Sequence, residues 1–219
     1  MSQFGLGRSN PITVALTGAS GMQYGLRLLQ CLLSTDTEVY LLVSKAARAV
    51  LAWEMDLQVP AGARAAADLF AQRCGARPGR LRVFAAEEWT APIASGSGAP
   101  GAMVVCPCSM GTLAAIALGT SENLIARAAD VVIKEQRQLI LVPRETPFSA
   151  IHLRHMATLA ELGAVILAAC PGFYHRPRTV EDVIDFIVAR ILDHLRVPHD
   201  IPVRWGQIVG EYAQRGGET

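Results

Sequence analysis

Short apolar runs recur along the chain at 12–16, 38–43, 102–105, 139–142 and 164–167, each bounded by turn-forming residues, and predict buried strands. Between them, apolar positions return at helical spacing over 22–33, 45–55, 113–118, 124–134, 149–162 and 180–195. Strands alternating with helices predict an α/β fold: a Rossmann-like (flavodoxin-like) doubly wound parallel sheet in a single domain. In such a sheet ligands sit beyond the carboxyl ends of the strands. The polar clusters fall there: 18–21 after the first run, Ser44 after the second, 106–112, then Arg144 and Glu145, and finally 171–176. Residues 60–80, rich in Ala, Gly and Arg, read as a variable excursion with a short helix. The domain is expected to span 12–205, with a flexible start at 1–11 and a polar, Gly-rich, mobile tail at 206–219.

The segment TGASGMQYG at 17–25 joins the first strand to the first helix. A Gly-rich turn opening a helix is an anion site, because the backbone can approach a ligand and the first helical N–H groups point at it. The spacing G-x-x-G-x-x-x-G is not the dinucleotide pattern, and the second strand ends in Ser44 and Lys45 rather than in a ribose-binding carboxylate. A mononucleotide such as FMN suits it better. The plainer alternative is a tight turn with no ligand.

Composition narrows the setting. Half of the residues are hydrophobic (51%) and only 18% are charged, against roughly 25% in ordinary soluble proteins. Apolar surface is therefore expected between subunits of a homo-oligomer. A net charge of +1 gives no reason to expect nucleic acid or an anionic membrane as partner. The first residues lack an apolar signal core and no apolar run approaches the length of a span, so a cytoplasmic protein is expected. Cys31, Cys74, Cys106, Cys108 and Cys170 make an odd count, which argues against a disulfide framework.

CPCSMGT at 106–112 lacks the second Cys pair that zinc would need, and its C-x-C spacing is not a redox motif. It reads as a buried strand end with Ser109, Gly111 and Thr112 presented to a ligand. His152 and His155 read as helix-surface or capping residues. Lys134-Glu135, Arg144-Glu145 and Arg190 suggest either a phosphate-binding cluster or surface ion pairs. The loop 95–98 could close over a site, and Trp89 before it is either a lid aromatic or an anchor.

VALTGASGMQYG, CPCSMGT, NLIARAADVVIKE, VPRETPFSAIHL and PGFY together resemble the flavin prenyltransferases, the UbiX-type proteins, over about 12–205. The resemblance implies a dodecamer that joins a dimethylallyl group from dimethylallyl phosphate to N5 and C6 of reduced FMN. The prenylated FMN then serves a UbiD-type decarboxylase in ubiquinone or aromatic-acid metabolism. It implies that Gly18, Ala19, Ser20, Ser44, Ser109, Met110, Gly111, Thr112 and Arg144 hold FMN. Lys134, Arg144, Glu145, Tyr174 and Arg190 would surround the donor phosphate, Trp89 and Trp205 would wall the prenyl chain, and Ser20 and Glu54 would stand at the reacting flavin atoms. Transfer is expected without metal, since no Asp-rich motif is present, and either Glu54 or the released phosphate would take the proton lost in ring closure. The alternatives are an FMN-dependent decarboxylase related to the cysteine decarboxylases and a non-catalytic FMN carrier.

Overall fold

A computed structural model describes residues 10–201. In chain order the elements are β1 (Ile12–Leu16), α1 (Met22–Ser34), β2 (Val39–Val43), α2 (Lys45–Met55), α3 (Ala63–Cys74), β3 (Leu81–Phe84), β4 (Ala102–Cys108), α4 (Met110–Ala117), α5 (Leu124–Lys134), β5 (Gln138–Pro143), α6 (Ala150–Glu161), β6 (Val165–Ile166) and α7 (Val180–Leu195). All six strands are parallel, in the order β3-β2-β1-β4-β5-β6. The chain's path reverses between β1 and β4, where the crevice of a doubly wound sheet opens.

The central strands carry continuous apolar runs because helices cover both faces. Every residue of β1, β2 and β4 is buried. On one face Leu26, Leu29 and Leu33 of α1, Leu51 of α2, Phe70 of α3 and Ile187 and Ile191 of α7 pack with Val14, Leu16, Leu41 and Val104. On the other, Leu113 of α4, Ile125, Ala129 and Val132 of α5 and Leu159 of α6 meet Ala15, Leu42, Val105 and Leu141. Gly25 lets α1 lie directly on β4, since a Cβ there would stand 2.5 Å from the Cys106 carbonyl oxygen.

The structure corrects the sequence reading in places. The helix expected within 60–80 is present as α3, Ala63–Cys74, but the segment is part of the fold rather than an excursion: it buries Ala66, Phe70 and Cys74 and leads into β3. That strand escapes the apolar pattern because it is short, lies at the sheet edge and exposes Arg82, whose guanidinium lies over Tyr40 (5.5 Å) and Phe84 (5.0 Å). The apolar run at 102–105 becomes β4, which extends to Cys108 rather than ending at 105, so Cys106 and Cys108 are strand residues. Helix α4 accordingly starts at Met110, not at 113, because Ser109 caps it. His152 does cap α6: its Nδ1 accepts from Ser149 N–H. Residues 1–9, Trp205 and the 206–219 tail lie outside the described residues.

Candidate functional site

At the carboxyl end of β1 the chain passes through Thr17 into 18–21. Gly18 has no room for a side chain, because a Cβ would stand 2.5 Å from the Ala46 Cβ of α2. Gly21 (φ 101°) then caps α1 in left-handed backbone with no side chain to meet the helix's orphan N–H groups. Glu54, near the end of α2, meets them instead. Gly21 N–H donates to its two carboxylate oxygens at 3.2 and 2.9 Å, and Met22 N–H donates at 3.0 Å. The α1 N-terminus therefore already holds an anion, supplied by the chain itself.

The ionisation of Glu54 follows from this setting. Burial pushes its carboxyl upward, but the Ser20 hydroxyl, the Met22 and Gly21 amides and the nearby Arg144 charge outweigh burial and hold it below its ordinary value. Arg144, immediately after β5, donates through Nε to the Ser20 carbonyl at 3.1 Å and so ties this turn to the next strand but one. Tyr24 stands in the same region. Burial raises its phenol, with Cys106 and Cys170 adding to the rise and Arg144 opposing it.

Across the switch point the end of β4 presents a second turn. Ser109 Oγ accepts from Thr112 N–H at 3.3 Å and donates to Thr112 Oγ1 at 3.1 Å, capping α4. No heavy atom lies within 4 Å of where a Gly111 Cβ would point. A third cap, Ser44, receives Ala47 N–H at 3.0 Å, and its own N–H reaches the Leu16 carbonyl at 3.0 Å. Gly18, Ala19, Ser20, Ser44, Glu54, Ser109, Met110, Gly111, Thr112 and Arg144 are thus gathered at one edge of the sheet, around the β1/β4 crevice. Open turns, helix N-terminal amides and one guanidinium there suit a flavin mononucleotide.

Other expected residues are placed differently. Glu145 is exposed, with its carboxylate turned back to Thr146 N–H at 3.1 Å. Tyr174 is exposed in the loop after β6, at the carboxyl edge. Trp89, also exposed, follows the outermost strand β3. Lys134 ends α5 ahead of β5, whereas Arg144 follows that strand; the six residues Gln138–Pro143 alone separate them by about 20 Å at roughly 3.3 Å per residue. Its ammonium pairs with Glu135 at 2.5 Å. Arg190 pairs with Asp193 at 3.1 Å, and the end of its helix is held to the opening of β5 by Gln138, whose Nε2 donates to the His194 carbonyl at 2.8 Å. One protomer therefore does not bring Lys134 or Arg190 to Arg144.

The thiols of Cys106 and Cys108 are wholly buried. Burial pushes Cys108 up to about 12 and Cys106 higher still, so neither is a nucleophile at neutral pH. Among the described residues no group of three or more His, Cys, Asp and Glu is placed to hold a metal ion. Sequence reasoning passed over Thr17, which is fully buried yet polar; its place directly after a buried strand was the available signal.

The Flavoprotein family model matches residues 5–192. The flavin prenyltransferase UbiX of Pseudomonas aeruginosa is 58% identical over 196 residues, 90% of this chain and 94% of that protein. Among solved structures, AnUbiX in complex with FMN and dimethylallyl pyrophosphate superposes with a TM-score of 0.80 at 39% identity, covering 90% of this chain and 98% of the other. A dodecameric FMN-dependent UbiX-like decarboxylase from Escherichia coli gives a TM-score of 0.78 at 39% identity, covering 89% and 98%. The chain belongs to the flavin prenyltransferase family, the UbiX-type flavoproteins.

Proposed function

We propose that this chain joins the dimethylallyl group of dimethylallyl phosphate to N5 and C6 of reduced FMN. The observation that carries this reading is the β1/β4 crevice, where two capped turns, Arg144 and Glu54 converge in a chain 39% identical to a relative solved with FMN and a prenyl donor. FMN supplies the nucleophilic atoms. The chain's own residues bind, orient and hold charge.

Because Glu54 occupies the α1 N-terminus, the FMN phosphate goes to the N-terminus of α4, over Met110, Gly111 and Thr112 beside Ser44 and Ser109. Gly18, Ala19 and Ser20 then line the flavin ring. The donor's carbon–oxygen bond breaks as its carbon bonds N5, and phosphate leaves with the electron pair. Arg144 is placed to stabilise that departing charge. Glu145 and Tyr174, from the neighbouring loops, complete the donor pocket on this side.

The carboxylate of Glu54 is held below its ordinary value and engaged by two amides, which makes it a poor base. Released inorganic phosphate, a stronger base than a carboxylate, is the better acceptor of the proton lost in ring closure. Glu54 shapes the turn instead. Lys134 and Arg190 complete the phosphate pocket from adjacent copies of the chain, since one protomer leaves them apart from Arg144, and Trp89 walls the prenyl chain. A dodecamer like that of the UbiX-like relative would supply such neighbours.

The product serves a UbiD-type decarboxylase. The setting in this reading is the cytoplasm. Among the described residues no helix is long and apolar enough to cross a membrane. The test is phosphate release on anaerobic incubation with reduced FMN and either dimethylallyl monophosphate or the diphosphate. Stoichiometric release supports transfer and names the donor. No release from either, with FMN retained, supports a carrier; carbon dioxide from an added acid substrate supports a decarboxylase, the name borne by the Escherichia coli relative.

A further inference from the structure

Between the two turns of the crevice lies a polar side chain that does not reach solvent. Thr17 is 0% exposed. Its hydroxyl donates to the Pro107 carbonyl at 2.7 Å and accepts from Ser109 N–H at 2.8 Å, while its own N–H reaches the same carbonyl at 3.3 Å.

The strand ladder itself stops short of this connection. The β1/β4 ladder runs from Ile12 opposite Ala102 to Ala15 opposite Val105, and the β4 register against β5 shifts between Val105 and Cys108. Beyond that irregularity β4 needs another tie to β1. Thr17 provides it: its N–H and hydroxyl both reach the Pro107 carbonyl, and the hydroxyl, as acceptor, extends the tie to Ser109. Ser109 in turn caps α4 through its side chain, so the position of the α4 N-terminus relative to 18–21 runs through the Thr17 Oγ1 atom.

We infer that Thr17 is a positioning residue, which sets the spacing between the two halves of the flavin cradle and thereby the fit of the FMN phosphate at α4. The inference rests on the reading of the α4 N-terminus as the phosphate site. Valine at 17 would keep the shape but leave the half-buried Ser109 N–H without its acceptor, freeing that turn to shift. Serine would keep both hydrogen bonds.

The test compares FMN with riboflavin, which lacks the phosphate, by quenching of flavin fluorescence in the assembled protein. Wild type should bind FMN more tightly than riboflavin. Thr17→Val should weaken FMN by on the order of tenfold and riboflavin by less than about threefold, the scale expected when one half-buried donor loses its partner. Thr17→Ser should match wild type for both. If Thr17→Val does not fold, Thr17→Cys, whose sulfur is a weak acceptor, replaces it with the same expectation. Unchanged FMN binding, or equal loss of both flavins, would overturn the positioning role. A wild type that does not distinguish FMN from riboflavin would overturn the phosphate-site reading instead.

Discussion

Glu54→Gln removes one charge from the centre of the crevice while keeping the side chain's shape. The amide oxygen can still accept one of the N–H groups of Gly21 and Met22, but its nitrogen cannot accept the other. A carboxylate at a helix N-terminus is worth about 0.3–1 kcal/mol when exposed and up to ~2 kcal/mol when partly buried; Glu54 is partly buried, so about 1–2 kcal/mol is expected after allowing for solvent screening. In a chain of this length that lowers Tm by about 3–6 °C. The loss depends on pH. Because the folded-state pKa of Glu54 lies below its ordinary value, its stabilising contribution is fully present above the ordinary carboxylate range and disappears as pH falls through the folded value. Thermal unfolding followed by circular dichroism should show the full gap between wild type and variant above pH of about 5 and a shrinking gap toward pH of about 3. Equal Tm values at neutral pH, or a gap that does not change with pH, would refute the capping account. The variant should also still close the ring at C6, visible as loss of the C6 proton in the product's NMR spectrum. Product arrested before closure would restore Glu54 as the base.

Gly18→Ala should cost about 1–3 kcal/mol of stability in chemical unfolding and weaken FMN in a binding titration, because its methyl would sit 2.5 Å from the Ala46 Cβ and push the turn off α2. Lys134→Ala and Arg144→Ala chains, each inactive alone, should regain about a quarter of wild-type phosphate release when co-expressed in mixed assemblies, since random mixing leaves that share of sites with both residues intact. No recovery would place both residues in one subunit's site. Transfer should proceed at full rate after EDTA treatment and dialysis, measured as phosphate released; a loss restored by Mg²⁺ would overturn metal-independent transfer.

The sheet core was legible because buried parallel strands must be apolar throughout, and the runs that became β1, β2, β4 and β5 have that character. Edge strand β3 was not, since an exposed Arg82 and four residues leave no run to read. The cap residues Ser44, Ser109 and Ser149 sit where polar residues meet apolar periodicity, and they cap the helices that follow. Two features of the crevice lay beyond sequence. Which anion occupies the α1 N-terminus depends on α2 lying close enough for Glu54 to reach it, a contact 33 residues apart in the chain. The separation of Lys134 from Arg144 depends on the opposed directions of α5 and β5, which adjacent charged motifs in a linear sequence conceal.

The central claim is tested most directly by the mass of the flavin itself. The purified protein would be incubated anaerobically with reduced FMN and dimethylallyl phosphate, and the flavin extracted for mass spectrometry. The account predicts a flavin heavier by one five-carbon prenyl unit. FMN recovered unmodified, though tightly bound, would contradict it.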